Sequence, residues 1–146
     1  MNVRWRRVWL CGWLVLLASC GGSGPQPVRV SGRVTLDGAP LAGAYVSFQP
    51  RRDQPNAAAT GSYATTSADG SFHLKLLQPK ISGALPGLHR VRITTSRPLD
   101  PAREDSPTTQ ERVPLRYRDG LLGFQVPPQG TTAANFALTS HDAAQR

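Results

Sequence analysis

Residues 28–48 read VRVSGRVTLDGAPLAGAYVSF and contain two short runs in which apolar and polar side chains alternate. A period of two residues is typical of strands that bury one face and expose the other. Asp37-Gly38, between the runs, is a dipeptide typical of tight turns. The stretch therefore predicts two strands, joined by a turn and a short connector, at the start of an all-β domain. The apolar residues that share one parity are Val28, Val30, Val34 and Leu36 in the first run and Ala44, Val46 and Phe48 in the second.

The same alternation recurs along the rest of the chain. Its further segments are 61–67, 71–76, 88–94, 122–126 and 134–138, with turn residues or prolines between them. No helical period follows residue 27, so we expect an antiparallel seven-stranded β-sandwich, with one more short extended piece at 113–117. The predicted inward residues are Val28, Val30, Val34, Leu36, Val46, Phe48, Phe72, Leu74, Leu76, Val91, Ile93, Phe124, Val126, Phe136 and Leu138.

Several glycines interrupt these runs at positions that require a special backbone. Gly32 falls on the apolar parity of the first run, which indicates a bulge or a close backbone contact. Gly38, Gly43 and Gly70 are predicted to supply turn conformations that other residues resist. Asp69, next to Gly70, is expected to cap its own turn through side-chain hydrogen bonds.

Length and composition exclude several classes of protein. The chain has 146 residues and a formal net charge of +8, which allows one modest domain and excludes a large multi-domain enzyme. The basic residues are spread along the chain rather than gathered in a stripe, so we expect no nucleic-acid partner. The two cysteines, Cys11 and Cys20, both lie near the N-terminus. The predicted domain therefore has no disulfide and no cysteine-based metal site, and we expect it to need no cofactor.

Residues 1–19 are predicted to be a signal peptide. An arginine-rich start precedes the apolar run 8–18, which is shorter than the roughly 20 residues that a spanning helix needs. Leu17-Ala18-Ser19-Cys20 resembles the lipobox of bacterial lipoproteins. The resemblance implies cleavage before Cys20, a diacylglyceryl thioether on its sulfur, and acylation of the new amine with a fatty acid such as palmitate. The alternatives are an ordinary signal peptide cleaved nearby and an uncleaved anchor. Residues 20–27 would then be a flexible tether, 28–140 the domain and 141–146 a tail.

The domain also resembles a known family. Residues 28–48 are similar to the opening of carboxypeptidase-regulatory-like domains, which have a strand with "GxV", a turn with Gly, "PL.GA" and a second strand with "V.F". Thr66–Phe72 and Leu85–Val91 look like two later motifs of that family, in the same order. The resemblance implies a transthyretin-like (prealbumin-like), Ig-like sandwich and an accessory module rather than an enzyme.

Candidate catalytic and metal-binding residues are few. His73 and His89, together with Asp69, are the one combination that could hold zinc or copper, but their parities differ, which favours a surface and a partly buried histidine. Tyr117-Arg118-Asp119-Gly120 superficially resembles the C-terminal Tyr-Arg-Gly-Ser of transthyretin-type hydrolases, although it is internal and lacks the serine. We therefore predict no metal site and no catalytic residues.

The best candidates for a binding surface are an outward tyrosine and a long loop. Tyr45 falls on the outward parity and could stack on a sugar, or on a neighbouring strand's side chain. The loop Ser96–Arg112 has three prolines and mixed charges, which is typical of a binding loop or a disordered one. The residues predicted to form this surface are Tyr45, Arg97, Arg103 and Arg112.

Taken together, these features predict a non-enzymatic lipoprotein of the bacterial cell envelope. Its N-terminal lipid would hold it on a membrane, inner or outer, and its domain would contact an envelope protein or a polysaccharide. The alternatives are a dedicated glycan-binding module and a small hydrolase of the transthyretin type.

Overall fold

The computed structural model describes residues 26–51 and 60–141. The predicted signal peptide, Cys20 and most of the predicted tether lie outside the described residues, as do residues 142–146. The domain is all-β, as predicted. Its elements are β1 (Ser31–Leu36), β2 (Ala39–Pro40), β3 (Tyr45–Pro50), β4 (Ser62–Thr65), β5 (Ser71–His73), β6 (Lys75–Leu76), β7 (Gly87–Thr94), the 3₁₀ helix η1 (Leu115–Tyr117), β8 (Leu122–Val126) and β9 (Phe136–Leu138).

These strands form two sheets. The larger has five antiparallel strands in the order β6-β4-β3-β7-β8. In the smaller, β1 pairs with β2 and β5 in antiparallel fashion and with β9 in parallel. The parallel pair corrects the expectation of a purely antiparallel fold. It arises because the chain before β9 runs alongside the start of β1: Thr131 N–H donates to Arg29 O, and Ala134 N–H donates to Ser31 O.

The predicted strand 71–76 is divided between the two sheets. Its first half, β5, pairs with β1, whereas its second half, β6, pairs with β4. The transition is at Leu74, whose N–H donates to Val30 O at 2.9 Å and whose carbonyl accepts from Gly83 N–H at 2.7 Å. This division and the short β2 raise the strand number from the expected seven to nine in the described residues.

One apolar core lies under both sheets. Most of the predicted inward residues are buried in it, and Val28, Leu36, Phe124 and Phe136 are partly buried against it. Three large buried apolar residues were not predicted, Leu41, Leu85 and Val113, which are 1%, 8% and 2% exposed. The extended piece expected at 113–117 is wrong, because the 3₁₀ helix η1 begins directly after Pro114.

The four phenylalanines of the chain form a single cluster in this core. Phe48 lies centrally, with ring centroids 5.5 Å from Phe124 and 6.1 Å from Phe136. Phe136 in turn contacts Phe124 at 5.8 Å and Phe72 at 6.3 Å. The rings come from β3, β5, β8 and β9, so the cluster joins the two sheets. The prediction that Phe72, Phe124 and Phe136 share one core is confirmed.

The predicted turns are also confirmed. Asp37 and Gly38 have φ angles of 51° and 82°, the left-handed pair that a type I′ hairpin turn requires between β1 and β2. Asp69 caps its turn as expected, because its Oδ1 accepts hydrogen bonds from the hydroxyls of Ser67 and Ser71, both at 2.7 Å. Those two hydroxyls, Ser71 first, hold the pKa of Asp69 below its ordinary value.

Gly32 marks a close backbone approach. A Cβ atom at this position would lie 2.0 Å from the carbonyl oxygen of Ala134, which precedes β9. The interruption of the apolar parity therefore has the cause predicted for it: the first strand and the segment before the last one can pass at this distance only without a side chain.

Candidate functional site

The two strand histidines lie in different sheets and environments. His73 is exposed in β5, whereas His89 in β7 is 1% exposed. Within residues 26–51 and 60–141, no group of three or more His, Cys, Asp or Glu side chains could hold a metal ion. The structure thus separates the one residue combination that sequence reasoning considered for a metal.

The Tyr117–Gly120 segment has contacts that hold the fold together. The Tyr117 hydroxyl lies 3.3 Å from the Thr139 hydroxyl, next to β9. The Arg118 guanidinium lies 3.8 Å from the Glu111 carboxylate. His89 is a residue of the type that serves as a general base, but its ring hydrogen-bonds with the carbonyl oxygen of Gly87. The described residues therefore do not place an acid, a base and a nucleophile in mutual contact here.

His89 is a buried imidazole with one satisfied nitrogen. Its Nδ1 lies 3.0 Å from Gly87 O and must carry the proton, because a carbonyl can only accept. Its Nε2 is buried without a hydrogen-bond partner in the described residues, and the ring centroid lies 5.9 Å from that of Phe48. Burial lowers the pKa of His89 below its ordinary value, and the hydrogen bond to Gly87 opposes this only in part.

The buried imidazole predicts a loss of stability in mild acid. Because the pKa of His89 is lower in the folded state, the unfolded state binds more protons below about pH 6.5, and the free energy of unfolding falls as the pH drops from there. Urea midpoints measured between pH 7.5 and pH 5 should decrease for the native protein and much less for His89→Leu. This range avoids Glu111, whose pKa burial raises but hydrogen bonds from Thr94, Thr95 and Val113 lower to about 2.

The exposed His73 provides the control for this experiment. His73→Gln replaces an exposed histidine of the other sheet, and its urea midpoints over the same pH range serve as the comparison for His89→Leu. An unchanged slope in His89→Leu would contradict the assignment of the acid sensitivity to the buried ring.

The loop Ser96–Arg112 is anchored at its base and exposed at its tip. Glu111 Oε1 accepts hydrogen bonds from Thr95 N–H at 3.0 Å and from Val113 N–H at 2.8 Å. Thr109 N–H donates to Arg97 O, and Leu99 N–H donates to Pro107 O, so the two arms run together like a hairpin. The sequence offered disorder as one alternative for this loop. The described base is instead a hydrogen-bonded part of the fold, and residues 100–105 form its exposed end.

Two of the four predicted surface residues lie together. Tyr45 and Arg97 line one open groove of about 490 Å³ between the outer surface of the five-stranded sheet and the loop. Thr94, Pro98, Leu99 and Pro101 complete much of its wall. Arg103 and Arg112 point to other partners: Arg103 pairs with Asp105 at 3.2 Å, and Arg112 donates to Ala42 O at 2.8 Å. The structure therefore brings two of the four predicted residues together and places the other two elsewhere.

The groove borders an outward face that carries aromatic and basic side chains. Tyr45 stacks on Tyr63 of the neighbouring strand, with centroids 5.9 Å apart and planes at 25°. One row crosses four strands, in which Lys75 pairs with Tyr63, Tyr63 with Ser47, and Ser47 with Arg92. We call this surface the outer face and define it by Tyr45, Tyr63, Lys75, Arg90 and Arg92.

Sequence reasoning did not group Tyr63, Lys75 and Arg92 with Tyr45. Alternation along each strand does place Lys75 and Arg92 opposite the apolar side chains, so their outward direction was predictable. Which strands are neighbours, and in what register, depends on pairing between distant segments. A single sequence carries no local signal for that pairing.

Comparison with known proteins adds no relative. No protein-family profile, curated protein or solved structure matches this chain. The part of the chain that the structure describes contains no helix long and apolar enough to cross a membrane.

Proposed function

We propose that this chain is a non-enzymatic lipoprotein of a bacterial cell envelope and that it binds its partner at the groove beside Tyr45. The observation that carries the proposal is the meeting of Tyr45 and Arg97 in one surface groove of about 490 Å³. The groove combines an aromatic ring, an arginine, two prolines and Leu99, which is 66% exposed. Exposed apolar and aromatic groups beside a cation are the groups that recognition sites on protein surfaces use.

The proposed fold family is the carboxypeptidase-regulatory-like, prealbumin-like sandwich. Two sheets around one core support it, as do the turns at Asp37-Gly38 and Asp69-Gly70, which fall where the resembling motifs place them. Modules of this family are usually accessory to a function that lies elsewhere, and the proposal of a binding rather than a catalytic role rests on this resemblance.

The proposed anchor is Cys20, and its removal tests it. Cys20→Ala should abolish labelling by a fatty-acid probe, because the diacylglyceryl group that is the proposed hold on the bilayer is attached to this residue. Ser19→Ala, which keeps a small residue before the cysteine, is the control and should stay labelled and bound. A Cys20→Ala protein that remains labelled in the membrane would overturn the lipoprotein assignment.

The groove is tested by crosslinking in intact cells. A photo-crosslinking amino acid at Leu99, inside the groove, should yield an adduct of raised mass, which is a discrete band for a protein partner and a smear for a polysaccharide. The same amino acid at Leu115 is a matched control, because Leu99 and Leu115 are both 66% exposed but only Leu99 lines the groove. Equal adducts at both positions, or none at Leu99, would count against the groove as the partner site.

A further inference from the structure

We infer that the outer face binds an acidic polysaccharide, so that the partner at the groove is a polymer of negatively charged sugars. This inference rests on the proposed binding function and names its ligand class. Three observations carry it: the sign of the charge on the face, the spacing of its cations and aromatic rings, and the clefts that border it.

Within the described strands, the outer face carries basic side chains and no acidic ones. None of the nine described strands contains Asp or Glu, whereas β6 and β7 contribute Lys75, Arg90 and Arg92, all exposed. In the described part of the chain, no carboxylate pairs with these three residues or with Arg97. Arg92 donates its Nε–H to Arg118 O at 2.6 Å, which orients the guanidinium and leaves its charge unpaired. A surface of one sign favours a ligand of the opposite sign.

The spacing of these groups suits an extended chain of sugars. The row from Lys75 through Tyr63 and Ser47 to Arg92 crosses three interstrand gaps, or roughly 14 Å at about 4.8 Å each. A cation therefore stands at each end, with an aromatic ring and a hydroxyl between them. The stacked pair of Tyr45 and Tyr63 extends the aromatic area to the next row. Flat aromatic faces pack against the C–H surface of sugar rings, while hydroxyls and cations bind their polar groups.

Clefts continue the surface beyond both tyrosines. Tyr45 lines the groove of about 490 Å³, and Tyr63 and Lys75 border a second cleft of about 380 Å³, which opens at the edge of the face between β4 and β5. The described residues leave both clefts open rather than enclosed. An open cleft suits a polymer, because the chain can pass across the domain and extend beyond it. A small ligand would instead be expected in a closed pocket that buries most of its surface.

Binding to a defined acidic polymer tests the inference. Full-length protein in a mild detergent should be retarded in gels that contain polygalacturonate. Fully methyl-esterified polygalacturonate has the same backbone without the charge and should cause little retardation. Single-stranded DNA distinguishes sugar recognition from attraction to any polyanion, and it should bind more weakly than polygalacturonate at equal charge concentration.

Variants locate the site. Lys75→Gln and Arg92→Gln should each weaken polygalacturonate binding about ten-fold, the effect of losing a hydrogen bond to a charged group. Tyr63→Ser should weaken it as well, through lost stacking. Arg29→Gln removes the same charge from an exposed position outside the outer face and should leave binding within two-fold of native, a difference typical of long-range charge alone. Circular dichroism establishes that each variant is folded.

The outcomes separate this inference from the proposal on which it rests. Equal binding of the methyl-esterified polymer, equal or tighter binding of DNA, or an equal effect of Arg29→Gln would each overturn the acidic-polysaccharide assignment. Adducts at Leu99 in cells without any polygalacturonate binding would keep the proposed partner site and reject this ligand class. Loss of binding in Lys75→Gln without adducts at Leu99 would support the outer face and reject the groove.

Discussion

Phe48→Ala is expected to lower the free energy of unfolding by about 3–5 kcal/mol, the usual cost of truncating a fully buried phenylalanine. Phe48 is 0% exposed, and its ring contacts Phe124, Phe136 and His89 from both sheets. The cavity left by truncation cannot collapse easily, because strand pairing on both sides fixes β3. Since a small domain has a total of roughly 5–15 kcal/mol, this variant should lose a large part of its stability.

Urea unfolding followed by far-ultraviolet circular dichroism measures this effect. Phe48→Leu keeps most of the buried volume and should lose less than about 1.5 kcal/mol. Leu99→Ala is a surface control at 66% exposure and should remain within about 0.5 kcal/mol of the native protein. A Phe48→Ala midpoint like that of Leu99→Ala would mean that the phenylalanine cluster is not the centre of the core.

Gly32→Ala is expected to destabilise the domain by about 3 kcal/mol or more, although it adds a single methyl group. The added Cβ would lie 2.0 Å from Ala134 O, a backbone atom that cannot rotate away. Ala134 is itself 0% exposed, and its N–H donates to Ser31 O at 3.1 Å, so the segment is fixed next to Gly32. Relief of the clash therefore requires the chain before β9 to separate from β1.

Gly123→Ala is the matched control, because it is the same change in a strand with an ordinary φ and open space around the added atom. It should leave stability unchanged or raise it by up to about 1 kcal/mol, through lower entropy of the unfolded chain. Melting temperatures of the two variants compare them directly. A Gly32→Ala protein as stable as Gly123→Ala would contradict the close approach of β1 and the segment before β9.

The alternation of side chains was sufficient to predict most of the core. Val34, Val46, Phe48 and Ile93 follow the period of two, and each is fully buried. Leu41 was not predicted, because it is a single large apolar residue in a connector, where no period can be read. Val113 was placed in a short extended piece but not among the inward residues, and the 3₁₀ helix after Pro114 ends the alternation of that piece. Their burial depends on how the connectors that contain them lie against the sheets, and only the assembled fold determines this.

Pairing between distant segments explains the other differences. The parallel partner of β1 comes from the far end of the described chain, with Val34 opposite Phe136. Nothing in either segment's residues encodes this neighbour, and the division of 71–76 between two sheets likewise leaves its alternation intact. For the same reason, only part of the candidate site was predicted from the sequence. Parity identified Tyr45, but only the register places Tyr63, Lys75 and Arg92 beside it.

The pairing of β1 with β9 joins segments from opposite ends of the described chain. Asp37 and Ser140 share a hydrogen bond across 103 residues, and Arg33 and Asn135 share one across 102. β1 can pair early with β2 and β5, but its parallel partner β9 becomes available only when nearly all of the described chain has left the ribosome. Contacts of such long range also form slowly. If the chain is exported as proposed, the late pairing of β9 would leave the smaller sheet incomplete until late in synthesis, so that translocation across a membrane could precede complete folding.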